Sequence, residues 1–320
     1  MRKIVLYGVG DNFQKMWSNQ IYWALKKDYD IIQVFDKNER KLNNIDKRLE
    51  TVSMEYLTKG DYDNICVTSA KYYNLIVEEL SKKQIDCKKI KNSRFWMEFC
   101  VSQYLKEANF DGKGLEVGGP SRIFSGIYHN CVCDGVNYSD NTIWGKVLSE
   151  YRYEETILGK QYICDATDMH IIKNNLYDFL LSSNNLEHIA NPLKAMEEFA
   201  RVVKPGGNIV ILVPNKKYTF DHARKYTTFE HLLNDYKNNV DERDLTHLNE
   251  IIELHDLDMD KEAGSRTQFI ERCYKNYENR CLHHHVFSFE LLEQMADYVG
   301  LYVIKKVKIY NDFCVILKKG

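Results

Sequence analysis

The sequence predicts an α/β protein with two successive parallel sheets, the second closed by an antiparallel strand pair. Three observations carry that reading. Short apolar runs alternate with helix-length amphipathic stretches twice over, from Lys3 and again from Gly114, as parallel strands joined by helical crossovers require. The last two runs, "LYVIKKVKIY" and "DFCVILKK", are joined through Asn311 and Asp312, a connection short enough only for an antiparallel hairpin. All four prolines lie between positions 120 and 214, and none of the ten histidines precedes His129, so the chain has at least two regions of different character.

The bulk numbers set the frame. A chain of 320 residues, 44% hydrophobic and with net charge −2, can build one large or two ordinary domains. Its lysines are interleaved with acids, which describes a solvated surface and argues against a nucleic-acid partner. No apolar run approaches the roughly 18 residues of a membrane span, and "MRKIVLYGVG" lacks the apolar core of a signal peptide. A soluble, cytoplasmic protein is expected, with a homo-oligomer left open. The nine cysteines read as reduced packing residues, because Cys131-x-Cys133 has no second pair to complete a zinc site.

Residues 1–95 are expected to form the smaller domain. "KIVLYGVG" is a strand ending in Gly8-x-Gly10, a helix follows, and "DIIQVFDKN" is a strand closing on Asp36. "YDNICVTSA" and the helix "YYNLIVEELSKK" complete a small parallel sheet. Phe13, Gln14 and Lys15 crowd the place of a third glycine, so the dinucleotide fingerprint is incomplete. This Rossmann-like α/β region resembles the N-terminal segments of many bacterial glycan-biosynthesis enzymes, which implies docking or the holding of a sugar-linked substrate.

Residues 96–320 are expected to form the larger domain, entered through the helix "RFWMEFCVSQYLKEANF". Its strands read as "GLEVG", "CVCDGVNY", "QYICDAT", "YDFLLSSNN" and "NIVILVPN", followed by a polar insert at about 216–287, the helix "SFELLEQMADYVG" and the hairpin. Glu116, Asp134, Asp165 and the pair Ser183-Asn184 fall at the ends of successive strands. In an open α/β sheet those ends share one edge, so the four positions converge on one crevice. Asp134 is placed to accept two ribose hydroxyls and Asp165 an adenine amino group. No P-loop lysine accompanies them, which disfavours ATP or NADP.

"LEVGGPS", "CDATDMH" and "SSNNLEHIANPLKAMEEFARVVKPGGNIVILVPN", with the closing hairpin, resemble a class I S-adenosylmethionine-dependent methyltransferase of the type-11-like branch. The resemblance implies a Rossmann-like methyltransferase sheet and S-adenosylmethionine as cofactor. It implies that Glu116, Gly118, Gly119 and Pro120 form the turn that receives it, with Asp134 at the ribose, Asp165 and Ala166 at the adenine, and Ser183 and Asn184 beside the methyl donor.

A hydroxyl acceptor must lose a proton as it takes the methyl group, so a base or a metal is required. Seven of the ten histidines lie between His222 and His285. Asp221 and His222 follow the fifth strand at the active edge, and with His188 and His284 they are the candidate catalytic residues. His247 and His255, two helical turns apart, are expected to share a face and to make structural hydrogen bonds. In an extended segment His283 and His285 would share a side, with His284 opposed. Glu187-His188 resembles the Glu-x-x-Glu-His metal site of some small-molecule and RNA 2′-O-methyltransferases, with Asn184 in place of the first glutamate. A divalent metal is therefore a possibility to which no ligand set is committed. Arg224, Tyr226, Arg266, Arg272 and Arg280 are available to grip an anionic acceptor.

The expected function is S-adenosylmethionine-dependent O-methylation of a sugar, nucleotide-sugar or glycan precursor in bacterial surface-polysaccharide synthesis. The alternatives are another small acceptor (a phosphoramidate, amine or phenol) and a non-catalytic cofactor-binding regulator.

Overall fold

The apolar runs become the buried strands of two separate sheets in the computed structural model, which describes residues 1–142, 145, 146 and 149–320. The chain divides into one unit at Met1–Tyr104 and a second at Leu105–Gly320.

The first unit contains β1 (Lys3–Tyr7), α1 (Asp11–Met16), α2 (Asn19–Leu25), β2 (Ile31–Phe35), β3 (Glu50–Thr51), α3 (Met54–Lys59), β4 (Asn64–Val67), α4 (Tyr73–Lys82), β5 (Ile90–Lys91) and α5 (Phe95–Tyr104). The sheet order is β3-β2-β1-β4-β5, with parallel pairing throughout. Ile4, Val5 and Leu6 are fully buried in the central strand, which explains a run of apolar residues without alternation. The edge strands β3 and β5 span two residues each, too few for any periodicity to announce them. The helix expected to open the second domain closes the first unit instead. Trp96 on α5 stacks 5.8 Å from Phe13, and the Tyr104 hydroxyl donates to the Met16 carbonyl at 2.8 Å.

The second unit contains β6 (Lys113–Val117), α6 (Ser125–Tyr128), β7 (Val132–Asn137), β8 (Asn141–Thr142), β9 (Gly145–Lys146), β10 (Glu150–Tyr153), β11 (Thr156–Ile163), β12 (Tyr177–Ser183), α7 (Pro192–Val202), β13 (Val203–Pro214), α8 (Phe229–Lys237), α9 (Leu248–Leu254), α10 (Arg266–Tyr274), α11 (Asn276–Asn279), α12 (Phe289–Tyr298), β14 (Leu301–Ile309) and β15 (Asp312–Lys319). Its main sheet runs β10-β11-β7-β6-β12-β13-β15-β14. The five strands from β11 to β13 are parallel, whereas β15 and β14 return antiparallel at one edge and β10 at the other.

Local chemistry sets the element boundaries. Asn191 caps α7 by accepting from the Lys194 N–H at 3.2 Å, with Pro192 at the first helical position, where its missing donor is not needed. One face of α7 buries Leu193, Met196 and Phe199 in the main core. β14 is buried at its two ends and alternates half-buried and exposed positions between them, with Lys306 and Lys308 exposed, as an edge strand open to water does. Tyr310 takes a left-handed φ of 61° at the hairpin turn, and Ile309 pairs with Asp312. The insert after β13 builds its own small core from Leu248, Ile251, Phe269, Cys273 and Leu282. All nine cysteines are free. No helix of the described residues is long and apolar enough to cross a membrane.

Candidate functional site

In the parallel sheet β6 and β12 are neighbours, and the loops leaving their carboxyl ends open a cavity of about 330 Å³. Gly118, Pro120, Asn137, Tyr138, Asp165, Ala166, Asn184, Asn185 and His188 line it from the strand ends, and Glu242 and Arg280 line it from the insert. The volume suits a small-molecule ligand.

The turn after β6 is held from behind. Glu116 is fully buried; it accepts from the Ser121 N–H at 2.9 Å, from the Tyr151 hydroxyl at 2.7 Å and from the Tyr128 hydroxyl. Burial pushes its carboxyl up, and these hydrogen bonds oppose the shift. Glu116 thus fastens the turn and does not line the cavity. Gly118 has φ +84°, and a Cβ there would stand 2.5 Å from the Asn185 side chain. A Cβ on Gly119 would stand 2.3 Å from the Glu116 carboxyl and the Tyr151 hydroxyl. Both positions demand glycine. Gly119 contributes its carbonyl, which accepts from the Asn137 amide at 3.2 Å.

Asp134 does not reach the cavity. It lies three residues before the end of β7, about 10 Å along the strand. Its carboxylate is bound by Lys113 at 2.6 Å, by the Tyr177 hydroxyl at 2.8 Å and by the Lys160 N–H at 2.9 Å. The positions that face the cavity at the end of this strand are Asn137 and Tyr138, so a ribose there would meet an amide and a phenol. Asp165 and Ala166 line the cavity as expected from their strand, but the Asp165 carboxylate is engaged. Thr167 donates to it through backbone and hydroxyl at 2.9 and 2.8 Å, and Arg280 donates at 3.1 Å. The other end of the Arg280 guanidinium pairs with Glu242. Asn184 lines the cavity and Ser183, the last residue of β12, does not.

Of the candidate catalytic residues only His188 lines the cavity. His222 sits on the surface of the insert, hydrogen-bonded to Asp256 at 2.9 Å. His284 is buried against Asn276 at 2.9 Å. Asp221 is buried between Arg224, at 3.0 Å, and the Nδ1 of His283. His247 and His255 flank α9 but have separate partners, His231 and Asp260. His283 and His285 also part company, because the irregular backbone from Cys281 to Ser288 does not keep a strand's alternation.

A constellation assembled from distant segments stands behind His188. The His188 and His283 rings meet edge to face at 4.7 Å. One ligand atom from each of Glu187, His188 and His283 lies within 4.8 Å of the others. Both Glu187 carboxylate oxygens are buried with no hydrogen-bond partner among the described residues, and burial pushes the group up to about 7, the charge on His283 opposing. Burial and the neighbouring His283 hold His188 well below the usual imidazole range, so it is neutral. Burial opposes charge on His283, but the Asp221 carboxylate overcomes it and raises His283.

The residues fit S-adenosylmethionine. Gly118 lines the cavity and lets the turn pack closely on Asn185, and the buried Asn185 amide nitrogen lacks a partner among the described residues. Arg280, the cation among the described lining residues, is matched by Asp165 and Glu242, which suits a cofactor without phosphates.

A family model described as a methyltransferase domain matches residues 94–306. A second model, described as C2185-like, N-terminal, matches residues 1–91. No curated protein matches the chain. Among solved structures, the chain is similar to an S-adenosylmethionine-dependent methyltransferase from Clostridium acetobutylicum, with 11% identity and a TM-score of 0.43 over 78% of this chain and 98% of that one. It is also similar to a SAM-dependent methyltransferase from Aquifex aeolicus, with 14% identity and a TM-score of 0.40 over 76% and 96%. The methyltransferase model spans more than half of the chain and includes every strand that borders the cavity; the chain belongs to the methyltransferase domain family, and S-adenosylmethionine is its cofactor.

Proposed function

We propose that the chain is an O-methyltransferase for a hydroxyl-rich small molecule, a sugar, nucleotide-linked sugar or glycan precursor used in surface-polysaccharide synthesis. The observation that carries the reading is the buried Glu187-His188-His283 group beside the cavity. Methylation of an amine needs no strong base, whereas an alcohol holds its proton at neutral pH and must be relieved of it. His188 is neutral and within the cavity wall, so it is able to accept that proton. Its Nδ1 faces the Leu282 carbonyl at 3.2 Å, which fixes the ring and turns Nε2 away. Asp221 positions His283 in the same manner.

The same group fits a divalent ion. Two imidazoles, each braced at Nδ1 by a carbonyl or carboxylate, and a carboxylate with both oxygens unpartnered among the described residues make a ligand set with an outer shell already in place. A bound ion would acidify the acceptor hydroxyl. Glu187, His188 and His283 would hold it, and the cofactor would supply the methyl group on a sulfonium.

A neutral acceptor suits a lining whose guanidinium is already paired with two carboxylates. In this reading the Rossmann-like first unit serves as a separate ligand-binding domain. Its own cavity of about 650 Å³ is lined by Gly8 and Gly10, by Lys37, Lys41 and Lys71 and by Asp11, Asp36 and Glu79, with Glu79 paired to Lys37, so its lining is mixed in charge. The test is methyl transfer from labelled S-adenosylmethionine to a panel of sugars and nucleotide sugars, with and without divalent ions, followed by location of the methyl group. An O-methyl product whose formation fails in Glu187→Gln would support the proposal. A product methylated on nitrogen, or full turnover in Glu187→Gln and His188→Ala alike, would overturn it.

A further inference from the structure

A second histidine cluster lies on the other side of the run that carries His283, and nothing in the proposed chemistry uses it. One ring nitrogen from each of His231, His247 and His285 lies within 4.8 Å of the others. They arrive from three segments. His231 is in the first turn of α8, capped by Thr228; His247 immediately precedes α9; and His285 lies in the irregular run before α12. Asp235 follows His231 by one helical turn, so the two share a face of α8. Its Oδ2 stands 3.2 Å from Nε2 of His231 and 3.8 Å from Nε2 of His285.

As a hydrogen-bond network the cluster is incomplete. The Nε2 atoms of His231 and His247 are 2.8 Å apart, so one proton at most serves both. His285 donates from Nε2 to the Ala190 carbonyl at 3.0 Å. Its Nδ1 is buried without a hydrogen-bond partner among the described residues, and Oδ2 of Asp235 has no hydrogen bond there beyond the 3.2 Å approach of the His231 ring. Buried acceptors in that condition are costly unless something other than hydrogen supplies the positive charge.

We propose that His231, His247, His285 and Asp235 bind one structural zinc ion that fastens the insert to the methyltransferase core. Three imidazoles and one carboxylate match a closed four-coordinate zinc site. The nitrogen-rich set excludes magnesium and calcium, which take oxygen ligands. Entry is open from the His231 side, whose side chain is 35% exposed, while that of His285 is 1% exposed. The placement supports a fastening role. Leu232 on α8 and Phe287 belong to the main core, whereas Leu248 and Ile251 on α9 belong to the insert's separate small core. An ion at the cluster ties these two cores together. It also fixes the chain two residues from His283, whose ring meets the Glu187-His188 group.

The experiment is cobalt(II) titration of the metal-stripped full-length protein, with folding checked by circular dichroism and zinc added last. Glu187→Gln serves as the reference, so that an ion held beside the cavity is not counted. The expected result is one equivalent of cobalt in Glu187→Gln with the intense visible absorption of four-coordinate cobalt, displaced by zinc. That equivalent should be lost in Glu187→Gln combined with His231→Ala, and again with His247→Gln, in proteins that remain folded. The half-exposed His231 makes its variant the less disruptive of the two. No saturable cobalt in the folded reference, the weak absorption of six-coordinate surface cobalt only, or an equivalent that survives both histidine variants would overturn the proposal. Failure of turnover in Glu187→Gln with this equivalent intact would bear on the cavity group alone.

Discussion

Single residues divide by whether they touch the cavity or hold the residues that do. His188 touches it and His222 does not, so His188→Ala is expected to lower turnover about a hundredfold or more while leaving S-adenosylhomocysteine affinity unchanged. His222→Ala should change neither by more than a small factor; initial rates and calorimetry on both variants check this. Asp312 offers a test by pH. Burial pushes its carboxyl from 3.8 up to about 7, the Asn184 amide partly offsetting the shift. Between those values the folded state holds a proton that the unfolded state has lost, so stability falls as pH rises through the window. Asp312→Asn should therefore raise the melting temperature at about pH 8 and change it little near pH 4, and equal shifts at both would refute the assignment. Sequence located the acids at strand ends but misjudged Asp134, because "CVCDGVNY" has no mark for where a strand stops. Three further residues of β7 carry the edge past it to Asn137. His283 was visible only as one of three adjacent histidines. Its pairing with Asp221, 62 positions away, is a product of the tertiary fold.

At the scale of elements, the turn between β6 and α6 is tightly constrained backbone. Its glycines were legible in "LEVGGPS", and the structure supplies the reason for each. Gly119→Ala would push a methyl group against Glu116 and Tyr151, an overpacking worth about 1–3 kcal/mol. The expected result is S-adenosylhomocysteine binding weakened about tenfold or more in a protein that still folds, read by calorimetry. The parallel strands and the hairpin were legible because strands buried on both faces write continuous apolar runs. Strand β10, "EYRY", was not, since it is short, polar and at an edge. Of the insert's helices, α9 was legible in the spacing of His247 and His255; α9 and α10 pack on a small core of their own whereas α8 joins the main core, so no single periodicity runs through the insert.

For the whole molecule, the insert is what closes the cavity on one side. Arg280 and Glu242 come from it and meet Asp165 from the sheet. Removing the guanidinium leaves two carboxylates without their partner, one of them nearly buried, and Arg280→Ala is expected to cost about 3 kcal/mol of stability, measured by denaturant midpoint. The unit boundary also shows what sequence conceals. α5 reads as a connector, but its Trp96 completes an aromatic stack with Phe13 and Trp17 and so belongs to the first unit. The central claim is that the glycine turn and the strand ends around it form the binding site for S-adenosylmethionine. Calorimetric titration of S-adenosylhomocysteine into the full-length protein, beside Gly118→Ala, tests it most directly. The expected result is one saturable equivalent in the parent and a clear loss of affinity in the variant, whose new methyl group would meet Asn185 at 2.5 Å. No binding in the folded parent, or equal affinity in both proteins, would contradict the account.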